Sequence, residues 1–391
     1  MGFQNAADST NGFQVGHVTA NDLSTHEAAL NELSERVSVL ENESTAASSS
    51  ASQAQPLCIM TLNLQYFASY PEDTEAATRR LAQVTGGDAP PDCICVQEGI
   101  AGKDVLGPVG FDLVVCAGEL GVAQSVYDMV YGHEPTLQAC DSSLHSRLLC
   151  NQIYLRQGSE WGVHGSGVLQ TSSNSELQGG GGRATGVLAV RSMVWVKLRR
   201  KGSAGTGPSV YVMCTHITGG RFEDQYFVQQ LAQERYNQPD SIISFFNERS
   251  QSDENDVGIL LGDFNATTEY IPDGPMQRYF KAQISSSLGV QSDAEAAALS
   301  APELEERFKQ YMISPFKCIR DTHGWQFAYT QAQVGVTSGF AHLIDHMAMS
   351  RPLKVVSAEV MFLTNQKFSD VKDTNLPLTD HNSVKVVFLV E

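Results

Sequence analysis

The sequence predicts sheets covered by helices, an α/β or α+β layered fold, and three observations predict it. Nine short apolar runs have the length and composition of strands. Beyond the first 55 residues, only three stretches carry helical periodicity over more than two turns. Turn-forming residues punctuate the chain between them. Many strands with few long helices bury their apolar faces best as stacked layers.

In chain order, residues 1–55 stand apart as a tail. They hold seven acids and one base and end in a Ser/Ala-rich run over residues 44–54. Ser24 followed by Glu27 forms a capping box, and Leu30, Leu33, Val37 and Leu40 step by three and four. The pattern over residues 24–40 reads as a short coiled-coil-like helix for self-association or partner docking. A helix lying on the domain, or a disordered tail, explains it equally well. A catalytic domain is expected over residues 56–391. Its strands are predicted at 57–62, 92–96, 112–116, 152–155, 186–198, 210–215, 257–261, 343–349 and 384–390. Its helices are predicted at 73–84, 225–246 and 302–312. The tetraglycine Gly179-Gly180-Gly181-Gly182 marks a loop. Residues 266–330 form an insert too long for a bare connection and must carry helices of their own.

Length and charge bound the rest. The chain has 391 residues, 44 acids, 26 bases and a formal net charge of −18. A broadly basic surface that grips nucleic acid by counterion release is thereby excluded, whereas a local cleft or a bound cation is not. No run of about 18 apolar residues exists, and the polar start lacks a basic-then-apolar signal. A soluble, intracellular protein is the expectation. Eight cysteines without a CxxC do not read as a disulfide scaffold. Cys58, Cys93, Cys95 and Cys214 fall in apolar runs, where buried thiols are common, while Cys140 and Cys150 lie in a polar stretch and could pair.

The informative feature is where polar residues interrupt apolar runs. Asn63 closes the first strand, Glu98 follows the second, and His216 closes Cys214-Thr215-His216. Asp263 and Asn265 end Leu261-Gly262-Asp263-Phe264-Asn265, Asp345 interrupts Ile344-Asp345-His346, and Asp380-His381 opens the last strand. Taken singly, each has a bland explanation: a turn former, a solvated end or a satisfied core histidine. Taken together, ends of neighbouring strands converge at one edge of a layered sheet. Four gathered carboxylates, Glu98, Asp263, Asp345 and Asp380, must be relieved by protons or a cation. Oxygen donors select Mg²⁺, with Mn²⁺ or Ca²⁺ as alternatives, over zinc. Two histidines beside such an ion point to a phosphate substrate and a carboxylate-activated water.

This series of motifs resembles the endonuclease/exonuclease/phosphatase superfamily, which includes pancreatic-type deoxyribonuclease, bacterial sphingomyelinase, inositol polyphosphate 5-phosphatases and the deadenylases. The resemblance runs from about Leu57 to the C-terminus and includes Arg235-x-x-Gln238 on the helix after Thr215-His216. It implies a four-layer sandwich, two packed β-sheets flanked by helices, with the site at one edge. It implies Glu98 as main metal ligand, with Asn63 beside it and Asp380 supporting the metal or the attacking water. Asp263 would orient and deprotonate that water, Asn265 would hold one phosphate oxygen and His381 another. His216 would contact the phosphate or protonate the leaving oxygen, with Asp345 fixing its tautomer and raising its pKa. His216 sets the chain apart from abasic-site endonucleases, which typically lack it. Thr218-Gly219-Gly220-Arg221-Phe222 and the long insert match no named branch, and the inositol phosphatase pattern after Asn265 is missing. The expected reaction is metal-dependent phosphodiester hydrolysis, with nucleic acid favoured over lipid or small-molecule substrates. A non-catalytic binding protein on the same fold is the remaining alternative.

Other residues carry bland expectations. Arg147, Arg183 and Arg221 read as solvated charges, with phosphate contacts as the sharper alternative, and Arg199-Arg200-Lys201 as a hairpin tip that nucleic acid could touch. Trp325, Phe327 and Tyr329 read as a half-buried strand packing in the core, with a base-stacking platform as the sharper alternative. His346 should face away from Asp345, and His133, His145, His164, His323 and His342 have no supporting spacing.

Overall fold

The computed structural model describes residues 54–64, 74–86, 89–99, 105–118, 150–171, 191–202, 207–218, 225–251, 255–269, 301–338, 342–361 and 381–391. Twelve strands among them form two six-stranded sheets. The first is ordered β11-β12-β1-β2-β4-β3, built from β1 (Gln55–Asn63), β2 (Cys93–Gln97), β3 (Phe111–Gly118), β4 (Cys150–Arg156), β11 (Lys354–Met361) and β12 (Ser383–Val390). The second is ordered β5-β6-β7-β8-β10-β9, from β5 (Trp161–Gln170), β6 (Ser192–Arg200), β7 (Val210–His216), β8 (Val257–Asp263), β9 (Gln326–Phe327) and β10 (Asp345–Met349). In each sheet one central pair is parallel, β1 with β2 and β7 with β8, and the other pairs are antiparallel.

Alternation along the strands builds the layers. Leu57 and Ile59 of β1, Cys93 and Cys95 of β2, Val210, Val212 and Cys214 of β7, and Val257, Ile259 and Leu261 of β8 meet between the sheets in one buried core. The intervening residues face outward. Met60, Leu62, Ile94 and Val96 pack with Leu81 and Val84 of α1 (Thr74–Thr85). Tyr211, Met213 and Leu260 pack with Ile242, Ile243 and Phe246 of α2 (Gln225–Ser250). Each such buried side chain contributes roughly 1.5–3 kcal/mol of transfer free energy. The sequence of layers is helix, sheet, sheet, helix, the four-layer sandwich expected.

Two strands, β5 and β11, were not foreseen, and the half-buried strand read over residues 325–329 is the short β9. β5 is an edge strand whose glycines make room for the Trp195 ring, and its residues are largely exposed, so it shows no clean apolar run. β11 lies on the opposite sheet's edge with a similarly weak pattern, and β9 has only two residues. Trp325 and Tyr329 flank β9 and are buried, with Trp325 edge-on to Phe246 at 5.5 Å. That is the core-packing reading rather than a stacking platform. Within the described part of the insert, α3 (Ala301–Met312) leads into a short helical turn Ser314–Phe316 and a π-helical turn Lys317–Thr322. β9 then runs into α4 (Gln331–Val334), which begins at a Thr330/Gln333 capping box. The Arg199-Arg200-Lys201 tip is tied down: Arg199 donates to Ser209 Oγ, Arg200 pairs with Glu160, and Lys201 donates to the Ser159 carbonyl. No helix among the described residues is long and apolar enough to cross a membrane.

Residues 24–40, Cys140, Arg147, Arg183, Arg221, His133, His145 and Asp380 lie outside the described residues.

Candidate active site

The same alternation that fills the core delivers the site. Asn63 continues the inward face of Leu57 and Ile59, and His216 that of Val212 and Cys214. Asp263 continues that of Ile259 and Leu261, and Asp345 that of Met347 and Met349. At one end of the sandwich the inner face therefore turns from apolar to polar. Register puts His216 opposite Asp263 across the parallel pair and Asp345 opposite Asp263 across the antiparallel one. Asn63 stands opposite Gln97 at the end of β1 and β2. Asp345 is the first residue of β10 rather than an interruption within it, because Leu343 and Ile344 precede the ladder. His381 likewise precedes β12 and forms an antiparallel bridge with Ser338.

Asp263 is the hub. Its Oδ2 accepts from Asn63 Nδ2 at 3.0 Å and its Oδ1 from the Asn265 backbone N–H at 2.7 Å. His216 Nε2 stands 3.6 Å and His381 Nε2 3.8 Å from the same Oδ2, and His216 Nε2 is 3.9 Å from Glu98 Oε1. These gaps are too long for hydrogen bonds and suit a bridging water or phosphate oxygen. Residues spread over more than three hundred positions thus meet around one carboxylate.

Asp345 serves a different histidine from the one expected. Its Oδ2 is 3.0 Å from His381 Nδ1, so it orients His381 and not His216. His216 has no carboxylate on its inner nitrogen, and its Nδ1 makes no hydrogen bond among the described residues. Burial, then the nearby positive charges of Arg191 and His381, hold its pKa well below the ordinary histidine range. The raising of its pKa expected from Asp345 is therefore reversed, and burial favours the neutral imidazole. Burial pushes the Asp263 carboxyl up to about 6, with Asp345 adding to the rise and His381 opposing it. His346 faces the other way, as alternation requires. It sits among Phe264, Phe316 and Phe327, with Nε2 2.9 Å from the Ala266 carbonyl, and burial lowers its pKa to about 4.

Backbone conformation marks the same place. Among the described residues only Glu98 (φ 51°) and Asn265 (φ 49°) are non-glycine residues in the left-handed region. Such conformations cost on the order of 1–3 kcal/mol and persist where the surroundings impose them. Between them Gly262 (φ 136°) lies so close to β7 that an added Cβ would meet the Thr215 carbonyl oxygen at 1.9 Å.

Several positioning residues carried no motif. Thr337 Oγ1 accepts from the backbone N–H groups of Ile344 and Asp345, and its carbonyl accepts from Asn382 N–H, so one loop holds both halves of the Asp345–His381 pair. Tyr329 donates to the Asp345 carbonyl. Arg191 brings a buried charge near His216 from inside what reads as a plain strand. Arg235 and Gln238, noted as a pair in the sequence, are both buried. Arg235 donates to the carbonyls of Thr218, Asn265 (2.8 Å) and Tyr311 (3.2 Å). Gln238 exchanges two hydrogen bonds with Thr218. Together they clamp the loops after β7 and β8.

The donor set fits a divalent ion. Asp263, Asp345 and His381 offer ligand atoms within 4.8 Å of one another, and Asp345 Oδ1 is buried without a hydrogen bond among the described residues. With Glu98 beside them, the site gathers three carboxylates, whose mutual repulsion a bound cation would relieve. Two carboxylates and an imidazole are donors that a divalent metal ion accepts.

No protein-family model and no curated protein matches the chain. Among solved structures it is similar to an endonuclease/exonuclease/phosphatase from Beutenbergia cavernae, at 14% identity and TM-score 0.48 over 86% of this chain and 72% of that one. It is also similar to the human Nocturnin catalytic domain, at 15% identity and TM-score 0.48 over 85% and 94%. A third is a Bacteroides thetaiotaomicron mannosyl-6-phosphatase, at 15% identity and TM-score 0.46 over 84% and 98%. The first of these structures bears the name of the family that the motifs resemble.

Proposed function

We propose that this chain is a divalent-metal-dependent phosphoesterase that cleaves a phosphodiester by in-line attack of water. The observation that carries the reading is the ring of Asn63, His216 and His381 around Asp263 Oδ2, with Glu98 at its rim and Asp345 behind His381.

As the motif resemblance implies, Glu98 and Asn63 would hold the ion, with Asp380 as a further ligand, while the Asp263, Asp345 and His381 group faces the water and the phosphate. The bound ion would supply charge neutralisation at the phosphate and favour ionised Asp263. Asp263 accepts the proton of the attacking water, its orientation fixed by Asn63 and the Asn265 N–H. His381, tied through Nδ1 to Asp345, turns Nε2 to the reacting phosphate and stabilises the charge that develops there. His216 donates as a neutral imidazole to a phosphate oxygen. Burial makes it a poor proton source for the leaving group, so the contact role is preferred. Asn265 supplies a second polar contact through its side chain, which now donates to the Ile217 carbonyl at 3.1 Å and would have to turn.

Nucleic acid is the first substrate class to test. A small-molecule or lipid phosphodiester is the second reading, favoured by the net charge of −18. Hydrolysis of bis-p-nitrophenyl phosphate, abolished by chelator and restored by Mg²⁺, tests the reaction. A rate indifferent to chelator, or unchanged in His381→Ala, removes the proposal. A panel of single- and double-stranded DNA, RNA, sphingomyelin vesicles and inositol phosphates then ranks the substrates.

A further inference from the structure

A second cluster of metal-ligating side chains lies away from the sandwich edge. Asp240 of α2, and Cys318 and His323 of the π-helical turn, offer one ligand atom each within 4.8 Å of one another. His323 Nε2 is 2.7 Å from Asp240 Oδ1. Cys318 is fully buried, and its thiol is in no disulfide. The Asp240 and His323 side chains are 44% and 19% exposed, so solvent reaches the cluster from one side.

The helix type makes this grouping. Five residues advance about 500° around an α-helix, which would set Cys318 and His323 roughly 140° apart. The wider π turn closes that gap, and the His323 N–H donates to the Cys318 carbonyl at 3.1 Å. π turns are rare and recur at functional positions. Here the turn brings a buried thiol and an imidazole to one side, facing a carboxylate from another helix.

We propose that Asp240, Cys318 and His323 form a zinc site whose fourth position is open to water. A sulfur, a nitrogen and an oxygen donor select Zn²⁺ over Mg²⁺ or Ca²⁺. Thiolate and carboxylate together balance the ion's charge. Tetrahedral zinc with ligand bonds of about 2.0–2.3 Å needs ligand atoms roughly 3.3–3.8 Å apart. The Asp240–His323 pair therefore opens by about 1 Å, and the thiolate, having lost its proton, closes in. Such an ion fastens α2 to the turn. Tyr236 and Thr322, whose hydroxyls lie 2.8 Å apart, already join the same two segments. Asp240 lies five residues, about 7.5 Å of helix rise, beyond Arg235, which clamps the loops of the candidate active site. The site is independent of the phosphoesterase reading.

Titration of the purified full chain with Co²⁺, a spectroscopic stand-in for zinc, tests it. One equivalent is expected to produce a sulfur-to-cobalt charge-transfer band and tetrahedral visible bands, both displaced by Zn²⁺. Cys318→Ser is expected to abolish the sulfur band. His323→Ala, on the exposed side and therefore tolerated by the fold, is expected to keep the thiol and weaken Co²⁺ binding by roughly tenfold or more. The oxygen-rich site at the sandwich edge gives no sulfur band, so its occupancy does not confuse the result. Absence of the band in the wild-type chain, its persistence in Cys318→Ser, or unchanged affinity in His323→Ala overturns the proposal.

Discussion

Among the described residues, two clusters pair an imidazole with a carboxylate, and they differ in nearly every other respect. The first, around Asp263, is built from strand ends of both sheets and is all oxygen and nitrogen. The second, around Cys318, joins a helix to a π turn and includes sulfur. In the first the pair is buried: His381 and Asp345 expose under a tenth of their side chains. In the second, Asp240 stands half in solvent. The lesson is that donor chemistry and burial, not the presence of a His–Asp contact, set what each cluster can do. A buried excess of carboxylates calls for a hard cation and holds a proton acceptor near neutrality. A partly open thiol, imidazole and carboxylate set suits a soft ion that fastens segments together.

The sharpest way to break that contrast is at Asp345. Asp345→Asn keeps the shape but removes the charge that orients His381. It is expected to lower kcat/KM by on the order of 10²–10⁴ while leaving the cobalt–sulfur spectrum intact. A loss of less than tenfold would show that the pair is not needed for the reaction.

Next in size is Gly262→Ala. Its Cβ meets the Thr215 carbonyl, and both are backbone in a paired register, so neither side yields cheaply. A destabilisation of about 3 kcal/mol or more is expected in chemical denaturation. A variant as stable as the wild type would mean that β7 and β8 are not packed as described.

The pH profile comes third. Asp263 must be ionised to accept a proton, and burial has raised its pKa to about 6. At low metal concentration kcat/KM is expected to rise with pH through about 6 and to flatten above it. Bound ion should move the inflection down. A profile flat from pH 5 to 8 would remove Asp263 as the base.

The smallest effect is on stability in acid. His342 and His346 are buried with pKa values lowered to about 4, so the unfolded chain binds more protons than the folded one below about 6.5. Stability is therefore lost as pH falls from 6.5 toward 4, by up to about 3 kcal/mol for each histidine at 1.36 kcal/mol per unit. Asp263 acts in the opposite sense. Its raised pKa favours the folded state below about 4, and that contribution is lost as pH rises through about 6. Two histidines outweigh one carboxylate, so a net loss is expected. Denaturation midpoints at pH 7 and pH 4.5 check it, and His346→Phe should remove part of the difference.

Much of this was legible in the chain itself. Short apolar runs named the inner strands, and the polar residues at their ends named Asn63, Glu98, His216, Asp263, Asn265, Asp345 and His381 as candidates. A polar side chain continuing the inward face of a strand must emerge where the core ends, so position in the run already implied position in the fold. Edge strands β5 and β11 were not legible, because half-exposed positions need not be apolar and the alternation fades there. Thr337 and Arg191 were equally silent, since backbone-bracing and charge-placing roles leave no spacing to read.

What only the tertiary structure decided was partnership. Asp345 lies 36 residues from His381 and 129 from His216, and sequence distance does not choose between them; register and loop path do. The same holds for Asp240 and His323, which are 83 residues apart and meet because a π turn, rather than an α-helix, follows Phe316. Local patterns record which face of an element a residue occupies. Which face it meets depends on how elements pack, and that is fixed by burial summed over the whole core, a quantity no short stretch of sequence contains.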